Sequence, residues 1–246
     1  MTIFNTIYEL PEWYFKPWIY HNSADGLISL SSDWINWITI SDKNLWATTV
    51  WNSWDTLSEA NCGKYYQRWN NYWFPRTWSV TTSSTQVNAS NYWPWNYYSS
   101  STFIKYSWRW DTTDNRNLRW WNTWTVEATQ WPSPSGFHVP LTTEWQAVKD
   151  IRTALGGWST DWTNFWIALK LPFAGRRLYS SANVSSQGTG GSYWSPSCIN
   201  ATDAYYISIK STTLTPKSNT YRTSGLSIRC FKNSPVTPTS SWTKLY

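Results

Sequence analysis

The sequence predicts an α+β fold that is rich in irregular loops, with a short antiparallel sheet and one or two helices. Two observations predict it. In 143–155, apolar residues recur at steps of three and four, which is the spacing of a helix with one buried stripe. In 204–209 and 226–231, apolar and polar residues alternate, as they do in antiparallel strands with one solvated face. With 246 residues, the chain is long enough to bury a substantial core.

The helix is expected to begin at Thr143, whose hydroxyl suits an N-cap, with Gln146 three residues later completing a capping box. Gly156 and Gly157 then supply a left-handed stop. The residues expected to form the buried stripe are Trp145, Val148, Ile151 and Leu155.

The strands beyond the helix are expected to send alternate side chains into the core. They begin at 173–179, which a Ser- and Gly-rich loop follows. Arg176 and Arg177 are neighbours in that first strand and so face opposite ways. At most one of the two is expected to reach a partner, while the other pairs with an acid internally. The side chains expected inward are Tyr205, Ile207, Ile209, Leu226, Ile228 and Cys230, and those expected outward are Tyr206, Ser208, Ser227, Arg229 and Phe231.

The rest of the chain has less regular patterning. Short apolar runs at 27–30 and 37–40 are typical of strands. Residues 50–135 are dominated by Asn, Ser, Thr, Tyr and Trp with almost no apolar periodicity, which is typical of long hydrogen-bonded loops. We interpret 1–40 as the N-terminal remnant of a longer chain and 233–246, rich in Pro, Ser and Thr, as a C-terminal tail.

The chain carries 24 Trp but only 10 Gly, and residues 1–135 hold most of the Trp and few of the Gly. Many of these Trp stand among Asn, Asp, Ser and Pro, in turns where a positive φ suits Gly and not an indole. We hypothesise that the gene reads UGA as Gly and that translation with a UGA-as-Trp table produced them. The alternative is a genuine Trp-rich surface that binds carbohydrate or aggregates. The suspect residues are Trp46, Trp54, Trp69, Trp73, Trp93, Trp120 or Trp121, and Trp131, whereas Trp145 and Trp194 are expected to be genuine.

The charge distribution favours an anionic partner. The net charge is +6, and 162–246 carries nine Lys or Arg against the single acid Asp203. Acidic glycans and phospholipid headgroups are candidates. Nucleic acid is not expected, because no groove-reading motif or Gly-rich phosphate loop is present. The sequence also has no apolar run of the roughly 18 residues that a membrane helix needs, and no signal-peptide pattern at its start.

Patterns that carry catalysis or bind metals are weak. His138 lies between two apolar residues, a setting typical of a hydrogen-bonded structural His. Glu144 and Asp150 are six residues apart on the predicted helix and point to different faces, so they do not form a catalytic pair. Since neither this His nor a carboxylate pair is placed for catalysis, we expect no enzyme activity. Because Cys and His also lack metal-ligand spacing, we expect no metal and no cofactor. Three Cys leave one unpaired if a disulfide forms, and Cys198 with Cys230 is the favoured pair.

Six motifs follow one another along 40–232. They are DKNLWAT (42–48), NCGKYYQRWNNYWFP (61–75), PSGFHVPLTTEW (134–145), AGRR (174–177), GSYWS (191–195) and SIRC (227–230). Their order and content resemble the Fibrobacter succinogenes major paralogous domain, and we take 41–232 as one domain of this type. The resemblance implies a C-type-lectin-like fold in secreted or surface-anchored bacterial proteins. It also implies that the missing export signal reflects a truncated or misplaced start.

The resemblance bears on individual residues as well. The family has Gly at the positions of Trp46, Trp69, Trp73 and Trp131, which independently supports the recoding hypothesis. It has a Cys where this chain has Ser133, which puts the family's usual pairing of the final Cys in doubt.

We therefore expect a non-catalytic recognition or adhesion module on a bacterial cell surface, with a glycan or protein as its ligand. The net positive charge of the chain favours an anionic ligand. In the lectin-like fold, loops in the region 193–221 form the ligand face, and Tyr and Asn there suit adaptable contacts. Two alternatives stay open: an oxidase of the formylglycine-generating type, which needs a reactive Cys pair, and a purely structural surface or pilus-tip module. The residues expected to contact the ligand are Tyr193, Asn200, Tyr206, Asn219, Tyr221 and Arg222, and those expected to be structural are His138, Trp145, Trp194, Cys198 and Cys230.

Overall fold

The structure is a computed structural model that describes residues 18–68, 70, 72–76, 79–85, 101–105, 132–154, 162–200 and 202–245. Within these ranges the chain forms three helices and sixteen strands. The helices are α1 (Glu59–Cys62), α2 (Thr142–Ala154) and α3 (Thr163–Ala168). The strands are β1 (Trp18–Asn22), β2 (Leu27–Ser31), β3 (Ile38–Asn44), β4 (Tyr65–Gln67), β5 (Trp73–Phe74), β6 (Thr82–Ser83), β7 (Phe103–Ile104), β8 (Phe137–His138), β9 (Arg176–Arg177), β10 (Val184–Ser185), β11 (Gly190–Cys198), β12 (Asp203–Lys210), β13 (Leu214–Tyr221), β14 (Gly225–Leu226), β15 (Arg229–Lys232) and β16 (Thr243–Lys244).

The fold is mixed but strand-rich, and its sheets are antiparallel apart from the short parallel pair β6–β7. The largest sheet has the order β16-β1-β2-β3-β15-β8. A second sheet has the order β10-β9-β14-β4-β5, and a third the order β11-β12-β13. The described residues thus carry more sheet, and more helix, than the short sheet and one or two helices expected from the sequence.

The first and last parts of the described chain belong to the largest sheet. The strands β1 and β2, within 18–31, join β3, and β16 near the C-terminus pairs with β1. Ile19, Ile28 and Leu30 are fully buried in the main core together with Trp145 of α2 and Phe231 of β15. Strands from 18–40 and from 233–245 therefore pair within the same sheet as β3 and β15. The segment 1–17 lies outside the described residues.

The structure confirms the predicted helix and its buried stripe. Trp145, Val148 and Ile151 of α2 are buried, while Leu155, Gly156 and Gly157 lie outside the described residues. The start of the helix is one residue earlier than predicted. Its first turn is held by Glu144, whose Oε2 accepts the Leu141 N–H at 2.7 Å, and not by Thr143. The predicted N3 residue Gln146 instead donates to Asp150 one turn later, at 2.7 Å.

The segment 226–231 has two buried faces, which corrects the expectation of one solvated face. Leu226, Ile228 and Cys230 lie in one apolar cluster, as predicted. Phe231 packs on the other side, in the main core. Between them Arg229 is fully buried, and its guanidinium donates to Asn44 Oδ1 at 3.0 Å and to two backbone carbonyls. Alternate side chains do point to opposite faces of this segment, but the sequence did not reveal that both faces would be buried.

In β12 the predicted alternation holds for only part of the strand. Ile207 and Ile209 are buried as predicted, but Tyr205 is half-buried and the ammonium of Lys217 lies 5.0 Å from its ring centroid. The register shifts twice: β11 has two extra residues between Trp194 and Cys198, and β13 has one extra residue opposite Tyr206–Ser208. Each irregular segment contains a proline, Pro196 or Pro216, which cannot donate to a regular ladder.

Buried arginines stabilise the irregular segments by donating to loop carbonyls. Arg68 is fully buried, and its guanidinium donates to the carbonyls of Ser195 and Pro196 in the irregular part of β11. Arg76 donates in the same way to the Ala174 carbonyl. A buried carbonyl without a donor costs about 1–3 kcal/mol, so a fold with many irregular segments gains from such donors.

Two of the described tryptophans have the backbone conformation that favours glycine. Trp34 and Trp46 both have φ of 63° and are 46% and 61% exposed. At Trp46 the reason is a tight turn: the Ala47 N–H donates to the Asn44 carbonyl at 2.9 Å, which makes Trp46 the third residue of the turn. A β-turn with positive φ at its third residue is a type II turn, where Gly is preferred.

The other suspect tryptophans divide differently. Trp54 is 80% exposed and Trp73 belongs to β5, but neither has a positive φ, so the backbone gives no such support there. Trp69, Trp93, Trp120, Trp121 and Trp131 lie outside the described residues. By contrast Trp145 and Trp194 are fully buried, and Trp194 Nε1 donates to the Tyr66 carbonyl at 2.7 Å.

Candidate functional site

A cleft opens on the face of the third sheet where β11 and β12 run side by side. Three cross-strand pairs lie along this face: Gly190 with Lys210, Ser192 with Ser208, and Trp194 with Tyr206. Alternate residues of a strand share a face, so these pairs form one row. The row is buried at Trp194 and exposed at Lys210. On the opposite face, Ile207 and Ile209 pack into the main core and hold the sheet in place.

The cleft has a volume of about 380 Å³, the size of sites that bind small ligands. Among the described residues that line it, two are cations, five carry a hydroxyl group and none carries a carboxylate. These residues are Arg176, Ser186, Thr189, Gly190, Gly191, Ser192, Tyr206, Ser208, Ile209 and Lys210.

A glycine positions Arg176 over the cleft. Gly175 has φ of 68°, and a Cβ there would lie 2.4 Å from the Ser185 carbonyl oxygen, so no other residue fits without a shift of the backbone. The Gly175 N–H donates to the Gly190 carbonyl at 2.8 Å. The contact holds the start of β9 against the start of β11, which brings the next residue, Arg176, to the rim of the cleft.

The Arg176 side chain keeps most of its donors available. Within the described residues its guanidinium makes one hydrogen bond, in which Nη1 donates to the Tyr206 hydroxyl at 3.4 Å. Its Cζ lies 6.0 Å from the centroid of the Tyr206 ring. A guanidinium has five N–H donors in a planar fork, a geometry that matches a carboxylate, sulfate or phosphate group.

The neighbouring Arg177 points inward, as the prediction of opposite faces requires. It is buried, and its guanidinium donates to the carbonyls of Pro75 and Ala182. The expected internal partner was an acid, and the partners found for this guanidinium include these backbone carbonyls. Of the two arginines, Arg176 is therefore the one that faces the cleft.

The acidic side chains of the described ion pairs lie elsewhere. Asp42 pairs with His21, Glu59 with Lys64 and Glu144 with His138. In the described part of the chain, no carboxylate lies within ion-pair distance of Arg176 or Lys210. Among the described residues, the two cations of the cleft therefore have no carboxylate as a counter-ion. The basic surface is smaller than the sequence suggested, because Arg177, Arg222 and Arg229 are buried.

Of the six residues predicted to contact a ligand, only Tyr206 lines the cleft. Two of the six are buried, which corrects the expectation for them. Tyr193 is fully buried, and its hydroxyl donates to the Pro172 carbonyl at 2.7 Å; burial also raises the pKa of this phenol. Arg222 is 2% exposed, and its backbone is hydrogen-bonded to both Thr202 and Arg68.

The other three predicted residues lie at the opposite end of the sheet. Asn219 is exposed opposite Tyr205, and Tyr221 pairs with Asp203 at the start of β12. The Asn200 side chain closes a turn, because its Oδ1 accepts the N–H groups of Thr202 and Asp203 at 2.8 and 2.6 Å. The structure therefore does not bring the six residues together into one site.

The cleft residues that the prediction missed are mainly Arg176, Lys210, Ser192 and Ser208. A signal was present for some of them: Ser208 was expected to face outward, and Lys210 continues the same alternation. What the sequence could not supply was the partner strand, because the pairing of Ser192 with Ser208 depends on the β11–β12 register.

The residues predicted to be structural include a buried histidine. The ring nitrogens of His138 lie 2.8 Å from Glu144 Oε1 and 3.0 Å from Asn233 Oδ1. Burial lowers the pKa of His138, but its hydrogen bonds and the charge of Glu144 outweigh burial, so the pKa lies above its ordinary value. This cluster ties β8, α2 and the segment after β15 together.

Cys230 is a free, buried thiol, which corrects the favoured disulfide with Cys198. Its Sγ accepts a hydrogen bond from Ser133 Oγ at 2.7 Å. Burial raises the pKa of Cys230 to about 12, despite the opposing effects of Ser133 and Arg229. Burial likewise raises the pKa of Cys62, the other free thiol. The Cys198 side chain lies outside the described residues.

The described lining of the cleft offers hydrogen-bonding groups and two cations. Its described lining contains no His, Cys, Asp or Glu that could serve as a base or activated nucleophile. Within the described ranges, no group of three His, Cys, Asp or Glu side chains is placed to hold a metal ion. In the same ranges, no helix has the length and apolar character required to cross a membrane.

Comparison with known proteins returned no match for the chain, whether to protein-family models, to curated proteins or to solved structures.

Proposed function

We propose that this chain is a non-catalytic recognition or adhesion module of a bacterial cell surface, and that it binds an anionic ligand in the cleft beside β11 and β12. The observation that carries the proposal is the charge of the cleft. Arg176 and Lys210 line it together with five hydroxyl-bearing residues, and no described carboxylate neutralises the two cations. Such a site attracts a negatively charged group and can hydrogen-bond to it.

Two observations, one contact and one backbone conformation, support membership of the Fibrobacter succinogenes major paralogous domain, with its C-type-lectin-like fold. Ser133 stands where the family has a Cys, and its Oγ lies 2.7 Å from the Sγ of Cys230, the final Cys. Trp46 stands where the family has Gly, and its φ of 63° is in the left-handed region. Both observations are consistent with the family pattern, altered in this chain at single positions.

The reading of the chain as an oxidase of the formylglycine-generating type has less support. That activity needs a pair of reactive thiols, and a reactive thiol is exposed with a lowered pKa. Cys230 has the opposite properties, since it is 3% exposed and burial raises its pKa to about 12. The purely structural alternative makes a separate prediction, which is that the cleft binds nothing.

An array of neutral and acidic glycans and acidic peptides, probed with the purified chain, tests the proposal. We expect signal on negatively charged ligands that decreases with added salt, because exposed charges are screened within about 8 Å at physiological ionic strength. Arg176→Gln should remove the signal. The matched control is Lys217→Gln, which removes the same charge from an exposed position of β13 outside the cleft. No charged ligand retained at low salt, or equal loss in both variants, would contradict the proposal.

A further inference from the structure

We infer that Lys170 and Asn52 become joined by an isopeptide bond within the chain, with Asp55 as the group that transfers the proton. The bond links Nζ of Lys170 to Cγ of Asn52, and ammonia is lost. This modification site is separate from the cleft beside β11 and β12, because none of the three residues belongs to the described lining of that cleft. The inference is carried by the contacts among the three side chains.

The nucleophile and the amide are already in contact. Nζ of Lys170 donates to Oδ1 of Asn52 at 3.0 Å, although the two residues are 118 positions apart in the chain. The electrophilic Cγ of Asn52 is one bond beyond that oxygen, so rotation of the flexible lysine side chain can bring Nζ onto it. Two reactants held in contact react as if at very high concentration, which makes a slow transfer between an amine and an amide accessible.

A carboxylate contacts the other end of the amide. Oδ2 of Asp55 accepts hydrogen bonds from the Asn52 backbone N–H at 2.7 Å and from its Nδ2 at 3.3 Å. The Asp55 N–H in turn donates to the Asn52 carbonyl at 3.0 Å, which closes the turn 52–55. The carboxylate therefore contacts Nδ2, the nitrogen that must leave as ammonia, and is placed to deliver a proton to it.

The surroundings of Lys170 favour the neutral amine, which is the form that acts as a nucleophile. The described ion pairs do not include Lys170. Burial lowers the pKa of Lys170, and the negative charges of Asp42 and Asp55 oppose this effect without cancelling it. A lysine with a lowered pKa is a better nucleophile at neutral pH, because a larger fraction of it is deprotonated.

The backbone of Lys170 is strained and held in place. Its φ of 53° lies in the left-handed region, where residues with a Cβ are uncommon. Its N–H donates to the Ile167 carbonyl at 3.0 Å, and its carbonyl accepts a hydrogen bond from the buried guanidinium of Arg229. Glycine is favoured in this conformation, so the presence of a lysine points to a role for its side chain.

The reaction balances without an added reagent. The Lys170 ammonium gives one proton to the Asp55 carboxylate, and the lone pair of the resulting amine forms a bond to Cγ of Asn52. The π electrons of the amide carbonyl move onto Oδ1. Asp55 then gives its proton to Nδ2, the carbonyl forms again, and the bond between Cγ and Nδ2 breaks. The surplus proton on Nζ passes through Asp55 to the departing ammonia, which leaves as ammonium, and the carboxylate is restored.

The bond stabilises the fold in a way that the described cysteines do not. Both cysteines whose side chains the structure describes, Cys62 and Cys230, are free thiols. A covalent link between residues 118 positions apart restricts the unfolded chain, as a disulfide closing a long loop does.

The intact mass of the purified full chain tests the inference. We expect a mass lower than that of the sequence by one ammonia, together with a branched proteolytic peptide that joins Asn52 to Lys170. Lys170→Arg and Asp55→Asn should each restore the full mass, because the first removes the nucleophile and the second removes the proton carrier. The matched control is Lys217→Arg, at an exposed position of β13, which should keep the loss of ammonia. A natural chain with the full mass of its sequence would overturn the inference.

Asn52 can also lose ammonia by cyclising onto the backbone nitrogen of Ser53, and the variants separate the two reactions. A succinimide formed in that way does not need Lys170, and hydroxylamine cleaves the chain at it. Loss of ammonia that persists in Lys170→Arg, or cleavage of the natural chain at Asn52 by hydroxylamine, would therefore overturn the inference. Resistance to hydroxylamine and a branched peptide absent from Lys170→Arg would support it. None of these outcomes depends on whether the cleft binds an anion.

Discussion

Replacing Trp46 by glycine should stabilise the protein, although it removes the largest side chain. Trp46 is the third residue of the turn closed by Ala47 N–H and the Asn44 carbonyl, with φ of 63°. A residue with a Cβ is destabilised by about 1–2 kcal/mol in the left-handed region of φ. The indole is 61% exposed, so its loss uncovers little packed surface. Glycine gains backbone freedom in the unfolded chain, which offsets part of the relief by about 0.5–1 kcal/mol.

The net expectation is a gain of about 1 kcal/mol, or a rise in Tm of about 2–4 °C for a chain of this size. Two variants serve as controls in the same thermal unfolding experiment. Ala47→Gly, in the same turn but without positive φ, should lower Tm. Trp194→Gly should cost about 3–5 kcal/mol, because that indole is fully buried and hydrogen-bonded.

A fall in Tm for Trp46→Gly as large as that for Ala47→Gly would refute the reasoning. The gene offers an independent check, since the recoding hypothesis predicts UGA at Trp46 and UGG at Trp145 and Trp194, and the positive φ of Trp34 extends the prediction of UGA to that position. UGG at all four positions would mean that the tryptophans are genuine. The strained turn would then be a property of the natural protein.

Three further predictions concern buried contacts. Under oxidising conditions, Ser133→Cys should form a disulfide between its new thiol and Cys230, detected as the loss of two free thiols and two hydrogens by mass relative to the reduced variant, since the two side chains already touch. Two intact thiols under these conditions would contradict this. The raised pKa of His138 means that its ion pair with Glu144 contributes stability below the ordinary His pKa of about 6.5, and that this contribution is lost as pH rises through the raised value. Glu144→Gln should flatten this pH dependence in urea unfolding, and an unchanged slope would argue against the pair as its source. Arg68→Met should lower the free energy of unfolding by about 2–6 kcal/mol, because it leaves two carbonyls without their donor at about 1–3 kcal/mol each. A decrease below about 1 kcal/mol would show that water replaces the guanidinium as donor.

The parts of the fold that could be predicted were those encoded locally. The α2 stripe follows from the spacing of Trp145, Val148 and Ile151, and the inward side of β12 follows from Ile207 and Ile209. Both patterns depend on residues a few positions apart, and periodicity captures them.

The parts that could not be predicted depend on contacts between distant segments. β1 was assigned to a separate remnant because nothing in its sequence indicates that it pairs with β16, more than 200 residues away. The candidate site likewise depends on contacts between distant segments. Ser192, Ser208 and Arg176 come together through strand register and through the contact of Gly175 with Gly190. Composition instead drew attention to the Tyr- and Asn-rich end of the sheet, where Asn200 closes a turn.

Mapping the ligand site by nuclear magnetic resonance tests the central claim most directly. A titration of the isotope-labelled chain with an acidic glycan such as the trimer of galacturonic acid should shift the backbone amides of Arg176, Ser192, Ser208 and Lys210. Residues at the other end of the sheet, such as Asn219, should be unaffected. Shifts confined to the Asn219 end, or to the exposed tryptophans, would contradict the claim that this protein binds its ligand in the cleft beside β11 and β12.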